Sequence, residues 1–358
     1  MLTDAVQTIP GVMAGRRMRG TAVRNTSAQA PRSMIKHGGR SATIRGRLGY
    51  GRAVASLITT LGPRTAAELG PILPHEHVFV DLRTWQQPGY GEADTAEVIE
   101  VMSPYLRDVQ QQGVTAMVEP GPIGVGRRVD ILLAVSKAVG LPLVAPTGVY
   151  REQWIPPFVR EGSTEALRDL FVTELTDEIE DTGVRAGWIK IGASDDGITE
   201  AEGKVLRAAV AASLATGATI GSHTVNGAVA RQQLDIIERA GGRPDRFVWI
   251  HAHAEPDRAI HVELARRGCW VELDGIGDPA QDQEFVAMTR DLLDAGFAES
   301  VLLSQDRGWF DPAQPRGGTP LPYTALFDRF IPLLADHGVD EATITTLTRH
   351  NPFRAFAR

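Results

Sequence analysis

Cysteine is nearly absent from this chain, because Cys269 is the single one among 358 residues. A lone thiol excludes an intramolecular disulfide framework and is typical of a reducing compartment, so we expect a cytoplasmic location. Long apolar runs are also absent, and no stretch approaches the roughly 18–20 residues that cross a bilayer. With a net charge of −7, the chain lacks the basic excess of nucleic-acid-binding proteins, and we expect neither nucleic acid nor membrane as a partner.

Acidic residues are scarce only at the N-terminus. Between residues 1 and 52 the sole acid is Asp4, whereas the segment carries nine arginines and Lys36. It has no secretory apolar core and no hydrophobic periodicity, and its composition predicts a disordered basic arm at 1–52. A transit sequence and an arm for nucleic acid or membrane surfaces are two functional interpretations. A solvated tail or an upstream extension of the reading frame is the commoner cause of such segments.

Short apolar runs alternate with amphipathic stretches after residue 53. The predicted strands lie near 72–80, 115–119, 142–148, 187–191, 218–222, 247–251, 269–274 and 301–304. The predicted helices lie at 95–112, 127–139, 163–181, 199–216, 226–240, 257–268, 281–296 and 322–337. Continuously apolar strands are typical of a parallel sheet covered on both faces. The pattern predicts one α/β domain at 53–358, a (β/α)8 TIM barrel, ahead of an open doubly wound sheet. The glycines of GPIGVG at 121–126 do not fit the nucleotide-binding order that an open sheet would favour.

Metal-binding side chains end five of the eight predicted strands. They are His75 and His77 in HEH, Lys190 in IKIG, His223 in GSHT, His251 and His253 in WIHAH, and Asp306 in SQD. The C-terminal ends of barrel strands form one rim, so these side chains are expected to meet there. Taken alone, His223 is also compatible with a hydrogen-bonded core histidine, and Asp306 with a helix cap.

Lys190 is unusual because Trp188, Ile189 and Ile191 surround it in a central strand. Burying an ammonium is costly unless it is paired or chemically altered, which leaves an ion pair with an aspartate, a Schiff base, or carboxylation by CO2. An ammonium beside several imidazoles would repel a cation, whereas a carbamate would bridge two cations and balance their charge. Nitrogen and oxygen ligands of this kind suit Zn²⁺, and also Co²⁺ or Mn²⁺.

The motifs HEH, IKIG, GSHT, WIHAH, LDGIG and SQD resemble, in this order, those of the phosphotriesterase family of the amidohydrolase superfamily. The resemblance runs from about Leu57 to the end of the chain and implies a homodimer with a binuclear metal centre. It implies His75, His77 and Asp306 at the more buried metal, His223 and His251 at the exposed one, and carboxylated Lys190 and a hydroxide bridging both. We choose His251 over His253, because the strand VWI ends directly at His251. His253 is then expected in the loop, with a solvated position favoured over a substrate contact.

The resemblance also implies a mechanism in which the metal-bridging hydroxide attacks the substrate and Asp306 accepts its proton. His251 and Asp274 would then pass the proton to solvent, although Asp274 alternatively orients a ligand histidine. The expected substrate is a lactone or related carboxylic ester, with promiscuous phosphotriesterase activity. Alternatives are phosphotriester hydrolysis as the main activity and a non-catalytic metal-binding barrel. Deamination by a single zinc is disfavoured, because it needs no lysine on strand four.

Specificity is expected from the loops after strands seven and eight. The aromatic side chains of Trp309, Phe310 and Tyr323 either form an apolar wall or pack their loop down. Lactonases of the family that cleave acyl-homoserine lactones commonly carry arginine where this chain has Gly275, which argues against that substrate. Arginines that follow strands two and three predict either a basic rim for an anionic substrate or a solvated face, namely Arg127, Arg128, Arg151 and Arg160.

Overall fold

The computed structural model describes residues 54–358, and the predicted basic arm at 1–52 lies outside them. A short antiparallel hairpin, Ser56–Leu57 with Arg64–Thr65, opens this part of the chain. Ser56 also exchanges two backbone hydrogen bonds with Arg358, which ties the two ends of the described chain together. No helix of residues 54–358 is long and apolar enough to span a bilayer.

Eight parallel barrel strands follow, numbered one to eight in chain order. They are Ile72–Leu73 continued by His77–Phe79, Ala116–Val118, Leu143–Val144 continued by Pro146–Thr147, Trp188–Gly192, Ile220–His223, Phe247–Ile250, Trp270–Leu273, and Val301–Leu303 continued by Gly308–Phe310. Strands one, three and eight are interrupted, and their halves pair with different neighbours. The second half of strand eight pairs with strand one through Gly308 and His77. The sheet is therefore closed, and the predicted TIM barrel is confirmed.

Helices cover the outside of the barrel at the predicted places. They are Thr95–Gln111, Val129–Val139, Thr164–Thr176, Glu200–Thr216, Gly227–Arg239, Arg258–Arg266, Asp282–Asp294, and a π-helical turn Leu326–Phe330 that runs on as Ile331–Asp336. Helix starts match local capping chemistry: Thr199 and Glu202 form a capping box at the start of the helix Glu200–Thr216, which follows strand four. Helices that the sequence did not predict are Pro157–Glu161, Glu341–Thr345, the π-helical turn Thr346–His350, and Asn351–Phe356.

Side-chain alternation divides the barrel interior into an apolar floor and a polar top. On strand four, Ile189 and Ile191 face the helices, whereas Trp188 and Lys190 face inward. Trp188 lies in the floor and meets Phe356 of the last helix edge to face, with ring centroids 5.1 Å apart. The chain thus closes the N-terminal end of the barrel with hydrophobic side chains and leaves the C-terminal end for polar ones.

Candidate metal centre

Strand one aims two imidazoles at one place, as its alternation predicts. His75 and His77 point into the barrel and are both buried, while Glu76 between them points the other way. The Glu76 carboxylate accepts hydrogen bonds from the Ser304 hydroxyl, from the backbone and side-chain amides of Gln305, and from the backbone N–H of Arg307. This buried carboxylate fastens strand one to strand eight, so the two strands that carry three of the predicted ligands hold a fixed register.

Each of the four central histidines has its Nδ1 held by a polar neighbour. His75 Nδ1 lies 3.0 Å from Glu272, and His77 Nδ1 lies 3.0 Å from Glu119. The other two pairs have the same separation: His223 with the Tyr150 hydroxyl, and His251 with Asp274. A partner at Nδ1 fixes the ring orientation and leaves Nε2 free, which is the usual arrangement of metal-binding histidines.

The free Nε2 atoms converge on the Asp306 carboxylate and on one another. Asp306 Oδ1 lies 3.3 Å from His77 Nε2 and 3.7 Å from His75 Nε2. The His223 and His251 rings meet with centroids 4.4 Å apart. His223 Nε2 and Asp306 Oδ1 are both buried and have no hydrogen-bond partner within residues 54–358. Buried polar atoms without partners are rare, and here they are the atoms a cation would bind.

Several three-residue groups bring ligand atoms within 4.8 Å of one another. They are His75 with His251 and Asp306, His251 with His253 and Asp274, and His75 with Glu272 and Asp274. The donors are nitrogen and oxygen only, a set that suits zinc and related divalent ions. The residues therefore fit a metal ion.

Lys190 stands below these groups on strand four, 98% buried. Burial lowers the pKa of its ammonium, although the carboxylates of Asp306 and Glu272 act in the opposite direction. No carboxylate of residues 54–358 forms an ion pair with Nζ, so the ion-pair alternative is not realised. Burial holds the pKa of His75 well below its usual range, and the positive charge of the nearby Lys190 ammonium lowers it further.

Asp274 lies at the centre of a cluster of imidazoles. Its carboxylate is 3.4 Å from His75 Nδ1 and 3.0 Å from both His251 Nδ1 and His253 Nδ1. Burial alone would raise its pKa, but the imidazoles of His251 and His75 hold the pKa well below the usual range. His251 adopts left-handed backbone angles, with φ 62°, and its N–H donates to Asp274 at 3.2 Å.

His253 departs from its favoured interpretation as a solvated loop residue. Its side chain is only 25% exposed, and its ring packs against Phe285 with centroids 5.3 Å apart. The ring also covers Gly275, where an added Cβ would lie 2.6 Å from His253 Nε2. His253 therefore belongs to the edge of the centre through Asp274, but it does not line the central cavity.

The sequence did not predict three of the carboxylate or hydroxyl partners of the histidines. Glu119 and Tyr150 stand just after strands two and three, and Glu272 faces inward on strand seven. Each was visible only as a polar residue near a strand end. Glu272 and Asp274 are two apart, the same spacing as His75 and His77, and that signal was available. Burial is the main reason why the pKa of Glu272 lies well above its usual range, and the negative charge of the neighbouring Asp274 raises it further.

A cavity of about 80 Å³ opens above the four histidines, Lys190 and Asp306. Trp309 lines it and packs against His77, with ring centroids 5.1 Å apart. Phe310 and Tyr323 are instead buried, Phe310 stacking on Phe79 and the Tyr323 hydroxyl donating to the His77 carbonyl. The aromatic residues of loop eight therefore divide, one forming a wall of the cavity and two packing the loop down.

Of the two interpretations of the arginines after strands two and three, the basic rim does not fit the structure, because carboxylates pair with all four side chains. Arg127 is buried between Glu174 and Glu180, 2.7 Å from each. The remaining pairs are Arg128 with Asp130, Arg151 with Asp195, and Arg160 with Glu152. Strong pairing of this kind leaves little charge for a ligand, and for Arg127 it also contradicts a solvated position.

Comparison with known proteins agrees with this geometry. A sequence model of a protein family, described as "Phosphotriesterase family", matches residues 55–356 of this chain. A "Phosphotriesterase homology protein" of Mycobacterium tuberculosis is 31% identical over 323 residues, which cover 84% of this chain and 98% of that protein. An "Aryldialkylphosphatase" of Saccharolobus solfataricus is 28% identical, covering 81% and 96%. An "N-acetyltaurine hydrolase" of Bos taurus is 25% identical, covering 82% and 95%. The chain belongs to the phosphotriesterase family, whose members are hydrolases.

Proposed function

We propose that this protein is a metal-dependent hydrolase that cleaves a lactone or a related carboxylic ester, with phosphotriester cleavage as a side activity. The observation that carries the proposal is the set of four histidines whose Nδ1 atoms are all held from behind. A hydrogen-bond partner at Nδ1 fixes the orientation of each ring and leaves its Nε2 for a metal ion, which is the arrangement that a metal centre needs.

The proposed ligands fall into two groups. His75, His77 and Asp306 would hold one ion, and His223 with His251 would hold the second. Lys190 lies beneath both, and its lowered pKa favours the neutral amine that adds to CO2, forming an N–C bond and releasing one proton. Two divalent ions, zinc by preference and cobalt or manganese as alternatives, would lower the pKa of a water molecule and polarise the oxygen of the bond under attack.

Asp306 is the proposed proton acceptor. Its Oδ1 atom has no hydrogen-bond donor within residues 54–358, and its side chain is 24% exposed towards the cavity. In this proposal the Asp306 carboxylate would both bind the ion and accept the proton of the attacking water. His251 and Asp274, joined at 3.0 Å, are proposed to carry that proton outward, because Asp274 also contacts the partly exposed His253.

The cavity favours a small acyl group. Val80, Leu82 and Trp309 contribute apolar surface to its lining, and its volume is about 80 Å³. An ester or lactone bound there would place its carbonyl oxygen among polar groups and its alkyl part against apolar ones. The relative named for N-acetyltaurine hydrolysis makes an amide of similar size a second candidate, and the relative named an aryldialkylphosphatase supports the phosphotriester alternative.

A non-catalytic barrel is the competing proposal from another class. Against it stands the observation that all six proposed ligands line the same cavity. A protein released from catalysis has no physical need to keep His223 Nε2 and Asp306 Oδ1 buried without partners, since each costs free energy of folding. We also propose a homodimer, which sedimentation equilibrium of the full chain tests directly.

The test is a comparison of kcat/KM on zinc-loaded protein for γ- and δ-lactones, aryl carboxylic esters, N-acyl amides and an aryl dialkyl phosphate. A lactone or ester preference of tenfold or more, equivalent to about 1.4 kcal/mol of transition-state stabilisation, supports the proposal. A tenfold preference for the amide or for the phosphate would instead identify that compound class as the substrate. Two bound metals without hydrolysis of any substrate would contradict the proposed activity.

A further inference from the structure

Arg307 differs from the other arginines at the rim of the barrel. It directly follows Asp306, and its side chain is only half-buried. Its guanidinium forms no ion pair and no hydrogen bond with any of residues 54–358, and only its backbone N–H and carbonyl are bonded. Arg151, at the same rim, lies 2.6 Å from Asp195 and so has its charge balanced. Arg307 therefore presents a guanidinium without an ion-pair partner in the described part of the chain, one residue after Asp306 at the C-terminal rim of the barrel.

The position of this guanidinium is set by a glycine of loop seven. A Cβ added to Gly277 would lie 1.9 Å from Arg307 Nη2 and 2.3 Å from Nε, so the planar group rests directly on the Gly277 backbone. The φ angle of Gly277 is not in the left-handed region, and conformational freedom does not explain the glycine. The absence of a side chain at residue 277 is what gives the guanidinium its place where loops seven and eight meet.

The backbone of Arg307 is held equally firmly. Its N–H donates to the buried Glu76 carboxylate at 2.8 Å, and its carbonyl accepts from the His77 N–H at 2.8 Å. A fixed backbone and a supported planar group lower the entropic cost of binding, because few rotamers have to be frozen. Arginine presents its donors as a fork that matches a carboxylate or sulfonate with two parallel hydrogen bonds.

We propose that Arg307 binds an anionic group, a carboxylate or sulfonate, which the substrate carries beyond the bond that is cleaved. The inference rests on the proposed hydrolysis of a carboxylic acid derivative and narrows it to derivatives with a second, charged end. Arg307 is in this view a specificity-determining residue, which binds the distal anion while the histidines and Asp306 act on the ester.

The test uses two aryl esters of glutaric acid, the mono-aryl ester with a free carboxylate and its neutral methyl ester, which is longer by one methyl group. Zinc-loaded wild type is expected to favour the anionic ester by about tenfold in kcat/KM, and the preference should shrink as salt is added. Arg307→Gln should abolish the preference chiefly through KM, with the neutral ester and the zinc content unchanged. Arg151→Gln is the matched control at the same rim and should keep the preference.

A second variant moves the charge without removing it. Gly277→Ala displaces the guanidinium, because the new Cβ would occupy the place of Nη2, and the anionic preference is expected to fall severalfold. An equal kcat/KM for the two esters in wild type, or a preference that survives Arg307→Gln, would overturn the role of Arg307 and leave the proposed hydrolysis standing.

Binding separates the two proposals if neither ester is hydrolysed. The Kd of glutaramate, with one carboxylate, and of neutral glutaramide are measured by calorimetry on zinc-loaded wild type and Arg307→Gln. A loss of about tenfold in glutaramate affinity in the variant alone supports the anion site even though the proposed reaction has failed. Equal Kd values in the two proteins would refute it.

Discussion

Replacing Tyr150 with phenylalanine tests whether the hydroxyl at its ring end fixes a metal ligand. In the tautomer that leaves His223 Nε2 free, the Nδ1–H donates to the Tyr150 hydroxyl oxygen over 3.0 Å. Tyr150→Phe keeps the ring against Trp154 and His223, so no cavity forms. What remains is a buried N–H without an acceptor.

The magnitude follows from that unsatisfied donor. Leaving a buried N–H unpaired costs about 1–3 kcal/mol, which corresponds to a roughly 5- to 150-fold change in an equilibrium constant. The ring can avoid the cost by shifting its proton to Nε2, but it then no longer offers that atom to a metal. We therefore expect the weaker of the two metal affinities to fall by about 10- to 100-fold, while the other stays within about twofold.

The assay is competition with a chromogenic chelator, combined with metal analysis of the dialysed protein. Tyr105→Phe is the control, because the Tyr105 hydroxyl has no hydrogen-bond partner within residues 54–358. Unfolding of both variants is followed with metal removed, so that folding and binding are separated. Unchanged affinity for both metals in Tyr150→Phe would refute the assignment of His223 as a ligand oriented by Tyr150.

The remaining predictions concern Lys190, Asp306 and Gly148. Lys190→Ala should lose metal and activity together and regain part of both in propionate; full activity without propionate would rule out the carbamate. Asp306→Asn should keep both metals but lower kcat by about 100-fold or more, and wild-type turnover would exclude Asp306 as proton acceptor. Gly148→Ala should reduce the free energy of unfolding by at least about 2 kcal/mol, because its Cβ would lie 1.9 Å from the Lys190 carbonyl. The control Gly140→Ala has a left-handed φ but meets nothing within 4 Å and should cost less.

The barrel was predictable because its strands are buried on both faces. Trp188, Ile189 and Ile191 produce a continuous apolar run, and a lysine inside such a run is conspicuous. The same logic placed the histidines at one rim, since parallel strands end together. The local sequence therefore predicts both the strand and the face of the strand on which its one polar side chain, Lys190, lies.

Partners from distant strands were not predictable in the same way. His75 meets Glu272 across 197 residues, and His223 meets Tyr150 across 73. No local pattern joins such pairs, because barrel closure alone decides which strand ends face each other. Prediction also missed the second half of strand eight, Gly308–Phe310, whose pairing with strand one buries Phe310. Three residues are too few for a periodicity to be visible.

Because strand one pairs with strand eight, the barrel can close only after the last strand has been synthesised. His75 N–H bonds to the Ser304 hydroxyl across 229 residues, and Asp306 N–H bonds to the His75 carbonyl. At about 5–20 residues per second, a ribosome needs roughly 10–50 s to make the intervening chain. During that time His75 and His77 are part of an unfinished protein and lack Asp306. With the proposed ligand set, the site would be completed only after strand eight has been made, so a metal held by His75, His77 and Asp306 together would mark a chain whose last strand is complete.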